Sequence, residues 1–256
     1  SGVWKYTIIS GPEGSPPAAD FDASDPKIEG QTIDFNASNS NDPDGQIVTY
    51  EWDFGDGTTG SGEIVNHIYA DNGDFSVSLT ITDNDGLVSN ISKLFSIMND
   101  DPIINSISNQ NIYEGDQIHI QGSFSDSGDD SWLAFVDFGD GSGLNPLFLN
   151  ADKTFVLDHT YIDDGIYEIN ISIEDDDIGY DDENFIVYVE NVKPYINKIT
   201  GPIEPVLIGT EVSMSASFSE PGADQWSATW NWGNGISPEY NPSSFAATGT
   251  YLFETA

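Results

Sequence analysis

The sequence predicts an all-β protein built of tandem antiparallel β-sandwiches, and three observations lead to this prediction. Apolar and polar residues alternate along residues 74–81 and 167–173, which is the period-2 pattern of a half-buried strand. Turn signals rich in Gly and Asp follow short aromatic segments and supply the positive-φ residues that tight turns need. No stretch has the spacing of an amphipathic helix. Short strands separated by turns, in units of about 90 residues, are typical of such sandwiches.

A six-residue motif recurs along the chain and defines the unit. WDFGDG at residues 52–57 returns as VDFGDG at 136–141 and, in altered form, as WNWGNG at 230–235. The first two copies are 84 residues apart, and the last two are 94 apart. One such motif would be weak evidence for a repeat, so the segments around it decide whether the chain contains true repeats.

The segments on either side of this motif repeat in the same order. Upstream, EGQTIDF at residues 29–35 matches EGDQIHI at 114–120 and IGTEVSM at 208–214. Downstream, HIY at 67–69 matches HTY at 159–161, and each is followed by Asp-x-Gly and an alternating strand. Three ordered blocks with a common period indicate tandem modules.

Short linkers with one proline each separate the modules, at residues 99–102 (NDDP) and 191–194 (NVKP). Such linkers are too short to behave as a free coil, so we expect a semi-rigid chain of modules. The expected divisions are a leading strand at 1–15, a first module at 16–98, a second module at 99–192 and an incomplete third module at 193–256. The leading strand comes from a preceding module or, through residues 3–9, completes the third module of a neighbouring copy.

The charge of the chain restricts its partners. There are 44 acidic residues, six lysines and no arginine, which gives a net charge of −38. Such a surface repels nucleic acid and anionic lipid and attracts divalent cations, although acidity that serves only solubility or salt adaptation is the alternative. The second module is the most acidic, with 22 acidic residues and one lysine. The absence of cysteine excludes disulfides and thiolate metal sites, and no apolar stretch is long enough to insert into a membrane.

Together, the WDFGDG motif, the following His-x-Tyr and the Asp-x-Gly strand resemble the PKD (polycystic kidney disease) domain, and NDPDG at residues 41–45 fits it too. The resemblance covers residues 16–192 well. It covers 193–256 in part, because Asn231 and Asn234 replace aspartates there and the His-x-Tyr is missing. It implies immunoglobulin-like sandwiches without catalytic residues. This family occurs in microbial cell-surface and S-layer proteins and as spacers on secreted proteases, chitinases and collagenases.

The sequence offers little for catalysis. Its three histidines are His67, His119 and His159, and the first and last occupy equivalent repeat positions. We interpret these two as structural residues at the start of a strand, in separate modules, and not as a catalytic or zinc site. We therefore expect no enzymatic activity from this chain.

Calcium is the ligand that the sequence favours most. Ca²⁺ takes six to eight hard oxygens, often from closely spaced Asp, Asn and backbone carbonyls. The turns after alternate strands gather at one end of a sandwich, so two acidic loops in each module are expected to meet; solvated turns without an ion are the alternative. The candidate ligands are Asn39, Ser40, Asp42, Asp44, Asp83 and Asp85 in the first module and Asp126, Asp129, Asp175 and Asp177 in the second, with Asp130 and Asp176 beside them.

Three Asn-x-Ser sequons, at Asn36, Asn90 and Asn170, make this a possible glycoprotein. The first functional hypothesis is a structural or adhesive protein of a prokaryotic cell envelope, such as an S-layer or surface-filament subunit, stiffened by calcium. Its partners would be other copies of itself, neighbouring surface proteins and divalent cations. The alternative hypothesis is the non-catalytic spacer or polysaccharide-binding region of a secreted hydrolase.

Overall fold

A computed structural model describes residues 14–232 and 246–252. These residues form strands, turns and isolated bridges but no helix, so the described part of the chain contains no helix that could span a membrane. The chain divides into two compact units. In its described part, the first unit comprises residues 14–104, 124–133 and 173–181, and the second comprises 105–123, 134–172, 182–232 and 246–252. The first unit thus contains the first module together with two loop regions of the second.

The first module is a two-layer sandwich. Its strands are β1 (Asp22–Ala23), β2 (Thr32–Asn36), β3 (Ile47–Asp53), β4 (Thr59–Ser61), β5 (Ile64–Ile68), β6 (Gly73–Asp83) and β7 (Val88–Ile97). One sheet has the order β1-β2-β5 and the other has the order β4-β3-β6-β7. The strand pairs in both sheets are antiparallel, and β6 pairs with β7 along ten consecutive residues.

Alternation along β6 builds the core of the first module. Val77, Leu79 and Ile81 are fully buried, whereas the polar residues between them are not. Their layer packs against aromatic rings, with Trp52 in edge contact with Phe21 at 5.0 Å between ring centroids. The interior is therefore filled by apolar side chains of both sheets, as the alternating pattern predicts.

The second module repeats this design with more strands. They are β8 (Ile103–Ile104), β9 (Gln110–Tyr113), β10 (Gln117–Ser125), β11 (Trp132–Asp137), β12 (Leu144–Pro146), β13 (Thr154–Thr160), β14 (Gly165–Asp175) and β15 (Tyr180–Glu190). The sheets have the orders β13-β10-β8 and β12-β11-β14-β15-β9. In contrast to the predicted antiparallel pairing, β9 runs parallel to β15. The equivalent contact in the first module, a bridge between Ile28 and Met98, is also parallel.

The described part of the third module forms a single antiparallel sheet. Its strands are β16 (Tyr195–Thr200), β17 (Glu211–Ser219) and β18 (Ala246–Leu252), in the order β16-β17-β18. Residues 1–13, which include most of the expected leading strand and the whole of residues 3–9, lie outside the described residues, as does the end of the WNWGNG motif. The hypothesis of strand completion by residues 3–9 therefore stays a prediction.

Candidate metal-binding loops and buried acidic clusters

The Gly-Asp-Gly turn of the first module is held by an aspartate–histidine pair. Asp56 Oδ2 lies 2.7 Å from His67 Nε2, while Asp56 Oδ1 accepts both the backbone N–H and the hydroxyl of Thr58. The His67 ring stacks on Phe54 at 4.0 Å, and the Tyr69 hydroxyl donates to the Phe54 carbonyl at 3.0 Å. Both carboxylate oxygens of Asp56 thus have partners within the module.

The second module has the same arrangement. Asp140 Oδ2 lies 2.7 Å from His159 Nε2, and Asp140 Oδ1 accepts the N–H of Ser142 at 2.9 Å. His159 stacks on Phe138, and Tyr161 donates to the Phe138 carbonyl. Burial raises the pKa of Asp140, but the hydrogen bonds from Ser142 and His159 outweigh this effect and lower it to about 2.

These contacts give His67 and His159 a structural role. Both histidines lie near the ends of β5 and β13, not at the start of a strand as the sequence interpretation had it. His119 lies on β10, where its Nδ1 is 2.7 Å from an oxygen of the exposed Asp158. Among the described residues, none of the side-chain groups arranged to hold a metal ion includes a histidine.

Two acidic loops of the first module meet at one end of the sandwich. The buried Asp83 shapes its own turn, because its Oδ1 accepts the N–H groups of Asp85 and Leu87. Asp42 Oδ1 is buried without a hydrogen-bond partner, and burial together with the charges of Asp83 and Asp44 raises the pKa of Asp42. The structure therefore places three of the four predicted aspartates close together.

The fourth aspartate lies beside the same loops. A Cβ atom built on Gly14 would lie 3.1 Å from Asp85 Oδ2 and 3.7 Å from Asp44 Oδ2, so both oxygens border one small space. Asp44 Oδ2 also accepts the N–H of Ser15 at 2.9 Å. The chain that enters the module thus closes over the aspartates.

Asn39 and Ser40 contact the segment around β1 and not the four aspartates. The Ser40 hydroxyl donates to the Asp20 carbonyl at 2.7 Å and accepts the Asp20 N–H at 3.0 Å. The Asn39 amide donates to Asp22 Oδ2 at 3.1 Å. Both side chains tie their loop to the segment around β1, and the structure does not bring them to the aspartates.

In the second module the turn after β14 is built like its counterpart. Asp175 Oδ1 accepts the N–H groups of Asp177 and Gly179, and Asp175 Oδ2 accepts the amide of Asn99 in the preceding linker at 2.8 Å. The Asp176 carboxylate accepts the N–H of Ser131, which connects this turn to the other acidic loop.

The residue at the centre of these loops is Asp130. Both of its carboxylate oxygens are buried without a hydrogen-bond partner, and carboxylate oxygens of Asp130, Asp176 and Asp177 lie within 4.8 Å of one another. Burial, with the charges of Glu29 and other nearby acids, raises the pKa of Asp130 to about 7. Three carboxylates at this separation form a donor set suited to a divalent cation.

The other two candidates of this loop differ from Asp130. Asp126 accepts the indole N–H of Trp132 and lies beside Asp130. Asp129 is exposed, and its backbone N–H donates to the carbonyl of Ala70 at 2.8 Å. Neighbouring residues of one loop thus face different surroundings, and sequence alone did not decide between Asp129 and Asp130.

Sequence reasoning missed two buried glutamates, Glu29 and Glu114. They are 0% and 1% exposed, and burial is the main factor that raises the pKa of each. Each precedes a glycine with positive φ, Gly30 at 65° and Gly115 at 80°. The repeated Glu-Gly pair was visible in the sequence, and an acid at the start of each repeated strand could have been singled out.

The three sequons differ in accessibility. Asn90 and Asn170 are exposed on β7 and β14. Asn36 is half-buried at the end of β2, and its side-chain oxygen accepts the N–H of Ser38. Glycosylation at these positions stays a prediction.

The strand orders, the two-layer cores and the repeated turn motif define a protein of tandem immunoglobulin-like β-sandwiches. The chain belongs to the PKD domain family, whose sequence model matches residues 14–97 and 99–188. The family recognised from the WDFGDG and VDFGDG motifs is thereby confirmed, as is the all-β fold class.

Similar proteins include bacterial enzymes. A microbial collagenase of Vibrio alginolyticus is 43% identical over 84 residues, which are 33% of this chain and 10% of the collagenase. Collagenase ColA of Clostridium perfringens is 40% identical over 73 residues, 28% of this chain and 7% of ColA. The crystal structure of the PKD1 domain of the Vibrio cholerae metalloprotease PrtV is 32% identical and covers 32% of this chain and 98% of that domain, with a TM-score of 0.30. The match spans a tenth or less of the two collagenases, so it concerns one module of each.

Proposed function

We propose that this chain is a non-catalytic, extracellular segment of a bacterial hydrolase, in which tandem PKD modules space the enzyme from its substrate or bind that substrate. The observation that carries the proposal is the 43% identity with part of a collagenase. The comparisons favour this alternative over the first hypothesis, an S-layer or filament subunit, for which they offer no support. The geometry agrees with a non-catalytic role, because His67 and His159 are engaged in the turns that support the fold.

The full gene product tests this proposal. A hydrolase domain in the same polypeptide is the expected result. A polypeptide in which the modules lead to a cell-envelope anchor, without any hydrolase domain, would contradict it and favour the surface-array hypothesis. Depletion of the purified 256-residue chain from solution by insoluble collagen or chitin then separates the two roles. Binding supports substrate recognition, whereas no depletion by either material supports a spacer.

Calcium binding by the acidic loops belongs to the same proposal. In the first module, Asp42, Asp44, Asp83 and Asp85 supply carboxylates at one end of the sandwich, and a buried oxygen of Asp42 has no donor. Bound Ca²⁺ would fix these loops by adding ligand-to-metal bonds that the unfolded chain lacks. A chelator at low salt is expected to lower the melting temperature, most strongly in the second module. Unchanged melting would contradict calcium binding there.

The variant Asp42→Asn with Asp44→Asn tests the first-module loops. It keeps the shape of both side chains but removes two charges, so it is expected to abolish one calcium-binding event in calorimetric titration. Asp74→Asn, an exposed change on β6 of the same module, is the matched control. Equal calcium binding by the two variants would count against the loop site.

A further inference from the structure

Glu29 and Glu114 have the same incomplete hydrogen bonding. In each, Oε1 accepts a backbone N–H from the linker that follows the module, that of Asp100 at 2.9 Å and that of Val192 at 2.6 Å. In each, Oε2 is buried and has no partner within hydrogen-bond geometry, although the N–H of Asn72 lies near the Glu29 carboxylate and Glu220 lies near that of Glu114. A buried carboxylate oxygen without a donor is strongly unfavourable unless positive charge faces it.

Around Glu114 the neighbouring groups are also acidic. Carboxylate oxygens of Glu114, Asp163, Asp164 and Asp224 lie within 4.8 Å of one another. Asp224 is held in place by the amide of Asn191, which donates to its Oδ2 at 2.8 Å. The cluster thus combines the second module, the linker that follows it and a loop of the third module, all within the second compact unit.

Acidic residues at the corresponding positions of the repeat also surround Glu29. Carboxylate oxygens of Glu29, Asp71 and Asp130 lie within 4.8 Å of one another. Asp71 and Asp163 both stand two residues before the glycine that begins the long alternating strand. Asp130 stands two residues before Trp132, as Asp224 stands before the next module's tryptophan. Two independent junctions therefore assemble equivalent acids around equivalent buried glutamates.

The backbone packs closely against both clusters. At Gly128, an added Cβ would lie 2.7 Å from Asp130 Oδ2 and 2.8 Å from Glu29 Cδ. At Gly222, it would lie 2.3 Å from Glu114 Oε2 and 2.6 Å from Glu220 Oε1. A side chain at either position would have to displace these carboxylates, so glycine lets the loop approach them closely.

Within residues 14–232 and 246–252, no ion pair brings a lysine to these carboxylates. The chain has no arginine, and the ion pairs of Lys27 and Lys93 are with Asp25, Asp20 and Asp22. The ion pairs of the described residues thus leave both glutamates to be neutralised by a cation from solution.

The number and kind of the ligands favour calcium. Ca²⁺ takes six to eight oxygen ligands, including carboxylates, in flexible geometry. Magnesium requires near-ideal octahedral geometry and is usually bound through one or two carboxylates while it retains several waters. Three or four carboxylates gathered at one place therefore fit calcium better.

We infer that each module junction binds one Ca²⁺ ion around its buried glutamate, formed by Glu29 with Asp71 and Asp130 and by Glu114 with Asp163, Asp164 and Asp224. Each ion joins one module to the linker and to the acidic loop of the next module. The Glu29 site shares Asp130 with the acidic loops of the second module. The Glu114 site shares no residue with the acidic loops described above, so it tests the inference independently of them.

Calorimetric titration of calcium into the chelator-stripped 256-residue chain tests the inference. Glu114→Gln retains the volume of the side chain but removes its charge, and it is expected to bind one calcium ion fewer per chain than the unmodified protein. Glu29→Gln is expected to lose one ion as well, and the double variant two. Glu168→Gln, an exposed change on β14 with the same loss of charge, is the control and is expected to bind the full number.

The remaining outcomes separate this inference from its alternatives. If Glu114→Gln binds as many ions as Glu168→Gln, a proton shared between Glu114 and Glu220 explains the cluster and the inference is wrong. Loss of ions in Asp42→Asn with Asp44→Asn, but not in Glu114→Gln, would support the loops alone. If Glu114→Gln does not fold, Asp164→Asn, an exposed ligand position, replaces it with the same expected loss of one ion.

Discussion

Asp140 and Glu114 are two acids of the second module that differ in their hydrogen-bond donors and in the direction of their pKa shifts. Both oxygens of Asp140 receive hydrogen-bond donors from their own module, and its pKa falls to about 2. Glu114 receives one backbone N–H, lies near Glu220 and Asp224, and has a raised pKa because burial dominates. A carboxylate with donors stabilises the fold, whereas one without them stabilises it only after a cation arrives.

The first module shows the same contrast between Asp56 and Glu29. Asp56 accepts hydrogen bonds from Thr58 and pairs with His67, while Glu29 Oε2 is buried without a partner. Because equivalent acids differ in the same way in both modules, the difference in hydrogen bonding is a property of their positions in the repeat. In each module the aspartate of the turn has its partners, whereas the buried glutamate near the same histidine strand is built to be completed.

The arrangement around Asp140 is easiest to break in the turn that positions this residue. Gly139 has φ of 73°, and a Cβ there would lie 2.5 Å from the carbonyl oxygen of Glu168. Gly139→Ala is expected to lower the free energy of unfolding by about 3 kcal/mol, since backbone must move and the left-handed conformation is strained. Urea or guanidinium unfolding measures the change.

Gly141→Ala in the same turn is the matched control. It has φ of 85° but nothing within 4 Å of an added Cβ, so only the conformational strain of about 1–2 kcal/mol is expected. An equal decrease in the free energy of unfolding of the two variants would show that close packing against the Glu168 carbonyl is unimportant.

Removal of the charge of Asp140 is expected to have the next largest effect. Asp140→Asn weakens the contacts to His159 and Ser142 and is predicted to lower the free energy of unfolding by about 2 kcal/mol, with or without calcium. Asp152→Asn, an exposed change in the same module, should alter it by less than about 0.5 kcal/mol. A loss that calcium restores would contradict the view that Asp140 already has all its partners.

The dependence of stability on pH below about 4 tests the role of Asp140 in a second way. The pKa of Asp140 is about 2 in the folded protein and about 3.9 in an unfolded chain. Its contribution is therefore fully present above about pH 4 and is lost as the pH falls toward 2. Partial exposure of the side chain reduces this contribution to about 1–2 kcal/mol. The free energy of unfolding of Asp140→Asn should depend less on pH across this range than that of the unmodified protein. The same pH dependence in both proteins would contradict a stabilising role for the Asp140 carboxylate.

The fold was predictable because its signal is local. The alternation along β6 and β14 places every second residue in the core, and Val77 and Ile169 lie where the pattern predicts. The parallel pairing of β9 with β15 was not predictable in this way, since the direction of a strand pair is set by the path of the chain. Phe21 was missed because β1 has two residues, too few for a pattern.

The site was less predictable, because donors for a carboxylate come from residues distant in sequence. The composition indicated an excess of acids, but it did not tell that Asp130 faces a cluster while Asp129 faces solvent. Likewise, Asn39 and Ser40 have ligand chemistry, but contacts with the segment around β1 engage them. Burial of Glu29 depends on a linker and a loop that meet it only in the folded chain.

The smallest expected change in stability has the opposite sign and decides whether Glu114 lacks a partner in the absence of calcium. In chelator at neutral pH, Glu114→Gln removes a buried charge whose Oε2 lacks a donor, and a Gln amide can donate to Glu220. The free energy of unfolding is expected to rise by up to about 1 kcal/mol, whereas Asp140→Asn lowers it under the same conditions. Saturating calcium should reverse the order of Glu114→Gln and the unmodified protein, because only the latter gains the ion at that junction. A loss of stability in chelator comparable to that of Asp140→Asn would mean that Glu114 already has all the partners it needs.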